Sequence, residues 1–342
     1  MREIDIYFVT GQSNASGSTK ITDAAALEAD HPALVSGTKP YILYAGNSAG
    51  NNPNNAATFD WCDVRLGLGS SPANMGPEVG MSKAFSSYYN KESGRVAGII
   101  KFAHGATGLC NTEANTKPDA EGRYAGNWSP PSYVAHAPSD PVLAYKGFLY
   151  REFIKEARTR LNGLRAMGFD RICIKGLYWM QGCNDTWRYA IDRTWYPTAF
   201  ACLVNDMRAD IAKVVCEVQG NDGGAAEMPV FIGTVSPAYR MGAITAKNGD
   251  VYTDNGEYLS ATRKRNDPFI AMQKQLAVDN ANCYVIDNGA YPNAVYTENA
   301  DGTVTYTVIG TDIAHPSQAQ CYAIGQNVGS KMLAVCTDYQ KN

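Results

Sequence analysis

Residues 4–17 read IDIYFVTGQSNASG. An apolar, β-rich run (IDIYFV, 4–9) ends abruptly in a turn of small polar residues and glycine. The same punctuation recurs at VAGIIKFA (96–103), ICIKGLYW (172–179), VFIGTV (230–235) and CYVID (283–287). Runs this continuous leave no face for water, which is how strands covered on both sides of a parallel sheet read. Between them the period changes. Phe153, Ala157, Leu161 and Leu164 fall on one stripe of the segment 147–166, and similar helical spacing runs through 79–89, 197–217, 267–279 and 317–335. Strand alternating with helix along the whole chain predicts a three-layer α/β/α sandwich around a central parallel sheet of about five strands.

The chain has 342 residues and a mass of 37.0 kDa. It contains no Pro/Gly/Ser linker and no internal repeat, so a single domain over 1–342 is the simpler expectation. Two stretches break the alternation. Residues 110–146, rich in Asn, Pro, Gly and Tyr, are far longer than an ordinary connection, and Tyr124, Trp128 and Tyr133 mark them as a packed loop insertion. Residues 294–309 alternate on both sides of Asp301-Gly302 and predict a hairpin that delivers the chain to Asp312.

Composition removes several classes of function. With a formal net charge of -3 and no Lys/Arg-rich run, the chain lacks the footprint needed to hold a nucleic acid. No apolar stretch approaches the ~20 residues that cross a bilayer, so no membrane partner is expected. The N-terminus MREIDIYFVTG has none of the three regions of a signal peptide, which points to the cytoplasm unless a leader has been removed. Nine cysteines, none in a Cys-x-x-Cys spacing and most inside apolar runs such as RICIKG, AFACLV, VVCEVQ and LAVCTD, read as buried thiols. They favour a reducing compartment. His31, His104, His136 and His315 form no pair at ligand spacing, so neither a metal nor another cofactor is expected.

In an open parallel sheet, ligands collect at the carboxyl ends of the strands. Ser13 follows the first strand, Gly76 lies in NMGPE (74–78), HGATG (104–108) follows the second strand and QGCND (181–185) the third. DIAHP (312–316) precedes the last helix. Each has a plain structural reading: GQSNAS as a capping turn, Pro316 as a first helical residue, Asn184 and Asp185 as caps for the segment after Thr186. Together they supply acyl transfer. Asp312 can accept the Nδ1 proton of His315, which leaves Nε2 free to take the proton of Ser13. The backbone N–H groups of Ser13 and Gly76, with the amide of Asn184, are the expected donors to an oxyanion. Two rivals are weaker: Cys183 as nucleophile would leave Ser13 without a purpose, and His104 as base has no carboxylate beside it in sequence. The first turn also lacks the Gly-x-Gly-x-x-G pattern and the lysine of a phosphate cradle.

The order of GQSN, a glycine in NMGPE, GCND and Asp-x-x-His resembles the SGNH hydrolases, whose four named residues would be Ser13, Gly76, Asn184 and His315. More narrowly, GQSNASG, MGPE, WMQG and DIAHP are similar to the branch that includes sialate O-acetylesterases and acetylxylan esterases. The resemblance implies a flavodoxin-like three-layer fold and metal-free hydrolysis of O-acetyl groups on carbohydrates, either plant-polysaccharide oligosaccharides or sialic acid. That branch usually carries Gln-Gly-Glu where this chain has Gln181, Gly182 and Cys183. Asp312 would then be the sole acid, and Gln181 is second choice to Asn184 for the oxyanion. Gly-Gly-Thr after the second strand is replaced by Gly105, Ala106 and Thr107. Gln12, His104, Thr107, Trp128 and Trp187 are the expected substrate contacts, and 21 tyrosines suit stacking on sugar faces. The alternative is a glycan-binding protein that keeps the fold without turnover.

Overall fold

The elements follow one another as β1 (Glu3–Gly11), α1 (Ser13–Ser16), β2 (Thr19–Lys20), α2 (Ala24–Asp30), β3 (Ile42–Ser48), β4 (Ala57–Asp63), β5 (Asn74–Met75) and α3 (Glu78–Phe85). Then come β6 (Ala97–Ala103), α4 (Phe148–Ala166), β7 (Arg171–Met180), α5 (Cys183–Arg188), α6 (Asp192–Gln219), β8 (Val230–Gly233) and β9 (Val251–Asp254). The chain ends with α7 (Glu257–Asp279), β10 (Cys283–Ile286), β11 (Ala294–Glu298), β12 (Val304–Val308) and α8 (Gln318–Cys336). This computed structural model describes residues 2–34, 41–48, 57–110, 127–133, 147–188, 192–238 and 247–337, without the side chains of 47–48, 57–59, 187–188 and 192–194. Most of the 110–146 insertion, including Tyr124 and His136, therefore lies outside the described residues, as does the side chain of Trp187.

The main sheet has seven strands in the order β10-β8-β7-β1-β6-β3-β4. All five strands expected from apolar runs are present and parallel. β3 adds a sixth parallel strand beside β6, and β4 closes that edge antiparallel to β3. Neither shows as a continuous apolar run: ILYAGNS, although largely buried between β6 and β4, turns polar halfway, and ATFDWCD at the edge never sustains one.

β1 sits at the centre and buries both faces. Ile4, Ile6 and Phe8 join a core with α4, α6 and α7 through Phe153, Leu161, Leu203, Ile211 and Phe269. Tyr7 and Val9 face the other way, onto Val79, Met81 and Phe85 of α3 and Val328 and Met332 of α8. Helices thus cover both faces of the sheet. Each such side chain removed from water contributes about 1.5–3 kcal/mol, and the residues between β1 and α1 are anchored to the best-buried strand.

Two small ladders flank the carboxyl rim. β2 pairs with β5, matching Thr19 to Met75 and Lys20 to Asn74. β11 and β12 pair antiparallel and continue into β9, where Tyr306 stacks between Tyr252 and Tyr258. All nine cysteines are free thiols and five are buried; of those read as buried from AFACLV, VVCEVQ and LAVCTD, Cys202 and Cys336 are half-buried and Cys216 lies on the exposed side of α6. Among the described residues no helix is long and apolar enough to cross a membrane.

Candidate active site

β1 leaves the sheet through Gly11, whose φ of +132° few side-chain-bearing residues adopt. A Cβ there would lie 2.2 Å from the Met180 carbonyl oxygen. That same carbonyl accepts the N–H of Gln12 at 2.9 Å, so the chain turns tightly against β7. Ser13 is the first residue of α1, a single turn closed where the N–H of Gly17 (φ +93°) donates to the Ser13 carbonyl at 2.9 Å. The side chain of Ser13 is partly exposed. Its own N–H has no acceptor among the described residues.

Asp312 and His315 lie on the loop before α8. His315 Nδ1 stands 3.0 and 2.9 Å from the two carboxylate oxygens of Asp312. The carboxylate also accepts the N–H groups of Ala314 (2.7 Å) and His315 (2.8 Å), so one side chain shapes the loop and orients the ring. Burial pushes the Asp312 carboxyl up, but the hydrogen bond and charge of His315 and the two N–H groups outweigh it and hold it below its ordinary value. Gly310 lets the loop close, since a Cβ there would meet the His315 carbonyl oxygen at 2.3 Å. α8 is capped by Ser317 in a capping box with Gln320. Pro316 therefore precedes the cap and is not the first helical residue.

This loop is fastened to the Ser13 turn and the segment after it. Asn14 Nδ2 donates to the Ala314 carbonyl at 3.5 Å, the N–H of Lys20 to Thr311 Oγ1 at 3.2 Å, and the N–H groups of Thr22 and Asp23 to Gln318 Oε1 at 2.7 and 2.9 Å. Segments 300 residues apart are thereby brought together.

Several residues expected to contact substrate prove to be the rim's internal framework. Gln12 is buried, and its Oε1 accepts the N–H of Gly182 at 3.3 Å. Thr107 is buried, donating to the His104 carbonyl (2.8 Å) and accepting Trp128 Nε1 (3.1 Å). Trp128 packs edge-on against Trp179 with ring centroids 5.4 Å apart and presents no face to a sugar. Gln181 spends its amide on the Thr107 carbonyl (2.9 Å) and Asp185, and its Oε1 on Tyr196 (2.8 Å), so it has no donor to spare for an oxyanion. His104 is buried with Nδ1 on the Gly105 carbonyl, and burial lowers its pKa to about 4, which keeps the ring neutral.

Asn184 differs from all of these. It is 2 % exposed, and neither its Nδ2 nor its Oδ1 has a hydrogen-bond partner among the described residues. A buried unpaired amide costs roughly 1–3 kcal/mol, a price met where a ligand completes the bond. Next to it, Asp185 accepts the N–H groups of Leu109 (3.1 Å) and Cys110 (3.2 Å), lashing the loop after β7 to the loop after β6. Burial pushes the Cys183 thiol up to about 12, which leaves almost no thiolate near neutrality.

Gly76 departs from expectation. Its N–H donates to Glu78 Oε1 at 3.1 Å, turned inward and away from the role of oxyanion donor. Glu78 forms a fully buried ion pair with Lys101 of β6 (3.0 Å). Sequence reading passed over both, although a lysine in the middle of the apolar run VAGIIKFA was a signal, since a side chain there must find a counter-charge. At the opposite end of β1, ligand atoms of Glu3, Asp5 and Cys173 lie within 4.8 Å of one another, with Arg171 on Glu3 (3.2 Å) and Lys175 on Asp5 (3.5 Å) already supplying positive charge.

A central, mostly parallel sheet with helices on both faces thus carries, at the carboxyl end of β1, a serine turn hydrogen-bonded to the loop that holds the Asp312–His315 pair. Residues 3–221 match the family described as carbohydrate esterase, sialic acid-specific acetylesterase, and the chain belongs to that family. It is a carbohydrate O-acetylesterase. The matched residues include Ser13, Gly76 and Asn184 and end before Asp312 and His315. Among solved structures, NanS is similar in fold, with a TM-score of 0.57 at 14 % identity over 97 % of each chain. A protein from Arabidopsis thaliana aligns with a TM-score of 0.49 at 15 % identity over 97 % of this chain and 98 % of its own. No curated protein matches the sequence.

Proposed function

We propose that the chain is a single catalytic domain that deacetylates carbohydrates through a covalent acetyl-enzyme, with Ser13 as nucleophile, His315 as general base and Asp312 as its orienting acid. His315 Nε2 takes the Ser13 hydroxyl proton as Oγ attacks the acetyl carbonyl. The tetrahedral oxyanion is met by the N–H of Ser13 and the Nδ2 of Asn184, both without a partner among the described residues. Collapse expels the sugar alkoxide, which receives the proton from His315. Water, deprotonated by the same imidazole, then attacks the acetyl-Ser13 carbonyl; the Oγ–acyl bond breaks, acetate leaves and His315 returns the proton to Ser13 Oγ. The observation that carries this reading is the Asp312–His315 contact on a loop hydrogen-bonded to the Ser13 turn.

The family description favours O-acetylated sialic acid as substrate over acetylated xylan. Acetate release measured on both, with p-nitrophenyl acetate as a common reference, tests the order. Ser13→Ala and His315→Ala are each expected to lose at least about a thousandfold in kcat, while Cys183→Ser keeps the wild-type rate. Retained turnover in Ser13→Ala, with loss in Cys183→Ser, would transfer the nucleophile's role to the thiol.

A further inference from the structure

Lys101 projects from the middle of β6 into the space between α1, α3 and the loop after β4, with no exposure to solvent. An ammonium has three donors, and here all three are used. They go to Glu78 Oε1 (3.0 Å), to the carbonyl of Ser16 at the end of the nucleophile turn (3.0 Å) and to the carbonyl of Leu68 (2.7 Å). Glu78 Oε1 also accepts the N–H of Gly76 (3.1 Å), and a Cβ on Gly76 would lie 2.4 Å from Glu78 Oε2 and 3.1 Å from Gly17 Cα. The turn bearing Ser13 and the loop bearing Gly76 therefore touch each other across one ion pair rooted in the sheet.

Taking two charges out of water is costly, and a well-packed apolar pair of similar volume is often as stable or more so. What an apolar pair cannot supply is direction: three bonds to named carbonyl and carboxylate oxygens at set distances. A displacement of about 1 Å at a reacting group can cost on the order of a hundredfold in rate. We infer that the Lys101–Glu78 pair is the positioning element of the acyl-transfer site, holding the Ser13 turn and the Gly76 loop in register without touching substrate. This inference rests on the assignment of Ser13 as nucleophile.

The test compares wild type, Glu78→Gln and the double variant Lys101→Met/Glu78→Leu for thermal unfolding, and for kcat and KM separately on p-nitrophenyl acetate. The double variant is expected to stay folded, since removing both charges spares their desolvation while leaving the Gly76 N–H and two carbonyls unpaired, with kcat lowered about a hundredfold and KM little changed. Glu78→Gln, which keeps an acceptor for Gly76 but leaves the ammonium unpaired, is expected to lose both stability and kcat. A folded double variant with wild-type kcat overturns the inference, as does one in which only KM rises. Should neither variant fold, amide exchange in the wild-type protein decides. Protection of the Gly76 N–H comparable to β6 supports the pair as a clamp, and exchange at the rate of an open loop overturns it. Ser13→Ala measured alongside separates the failures: if it stays active, the nucleophile assignment fails and takes this inference with it, whereas an inactive Ser13→Ala beside a fully active double variant refutes the positioning role alone.

Discussion

Asn184 and Asp185 are neighbours on one turn of α5, and each is buried. They differ in satisfaction, and the difference predicts opposite behaviour. Asn184 has no partner among the described residues, so truncating it frees the fold of a desolvated amide while removing the donor proposed for the oxyanion. Asn184→Ala is expected to lower kcat by ~100- to 1000-fold with little change in unfolding midpoint; a variant that melts far below wild type would mark the amide as structural. Asp185 is lashed to Leu109, Cys110 and Gln181, yet burial outweighs these bonds and raises its pKa from 3.8 to about 6. The native state thus holds a proton that the unfolded chain has already lost. Its contribution to stability is complete below pH 4 and disappears as pH rises through about 6. Urea unfolding from pH 4 to 7 should show wild type losing roughly 3 kcal/mol relative to Asp185→Asn, and parallel curves would sink the assignment.

At the scale of elements, the exit from β1 carries the most constraint per residue. Gly11 combines a φ of +132° with a carbonyl 2.2 Å from where its Cβ would be, so Gly11→Ala must move β7 or abandon the turn that presents Ser13. A loss of more than about 2 kcal/mol and a fall in kcat beyond the unfolded fraction are expected, read from a denaturant curve and active-site titration on one sample. Most elements buried on both faces were legible in the sequence because burial writes itself as an unbroken apolar run; β3, buried over its first half but polar in its second, and β4 at the sheet edge leave no such mark. The Asp312–His315 contact was legible because three residues suffice for the loop to close on itself. The Lys101–Glu78 pair was not, because its partners belong to different elements and meet only through packing. Trp128 was expected both to pack the insertion and to touch substrate, and the tertiary contacts with Phe102 and Trp179 make it core alone.

For the molecule as a whole, the centre of the sheet and the rim above it are assembled from strands far apart in sequence. β1 lies between β6 and β7, and the loop before α8, with the first residue of α8, is tied to the segment after β1 through Asn14, Lys20, Thr22 and Asp23. α8 then completes the second core through Val328, Met332 and Leu333. The bond between residues 14 and 314 joins segments 300 positions apart, so the turn after β1 and the loop before α8 unzip together: a local opening that frees α8 parts them while β1 stays paired with β6 and β7.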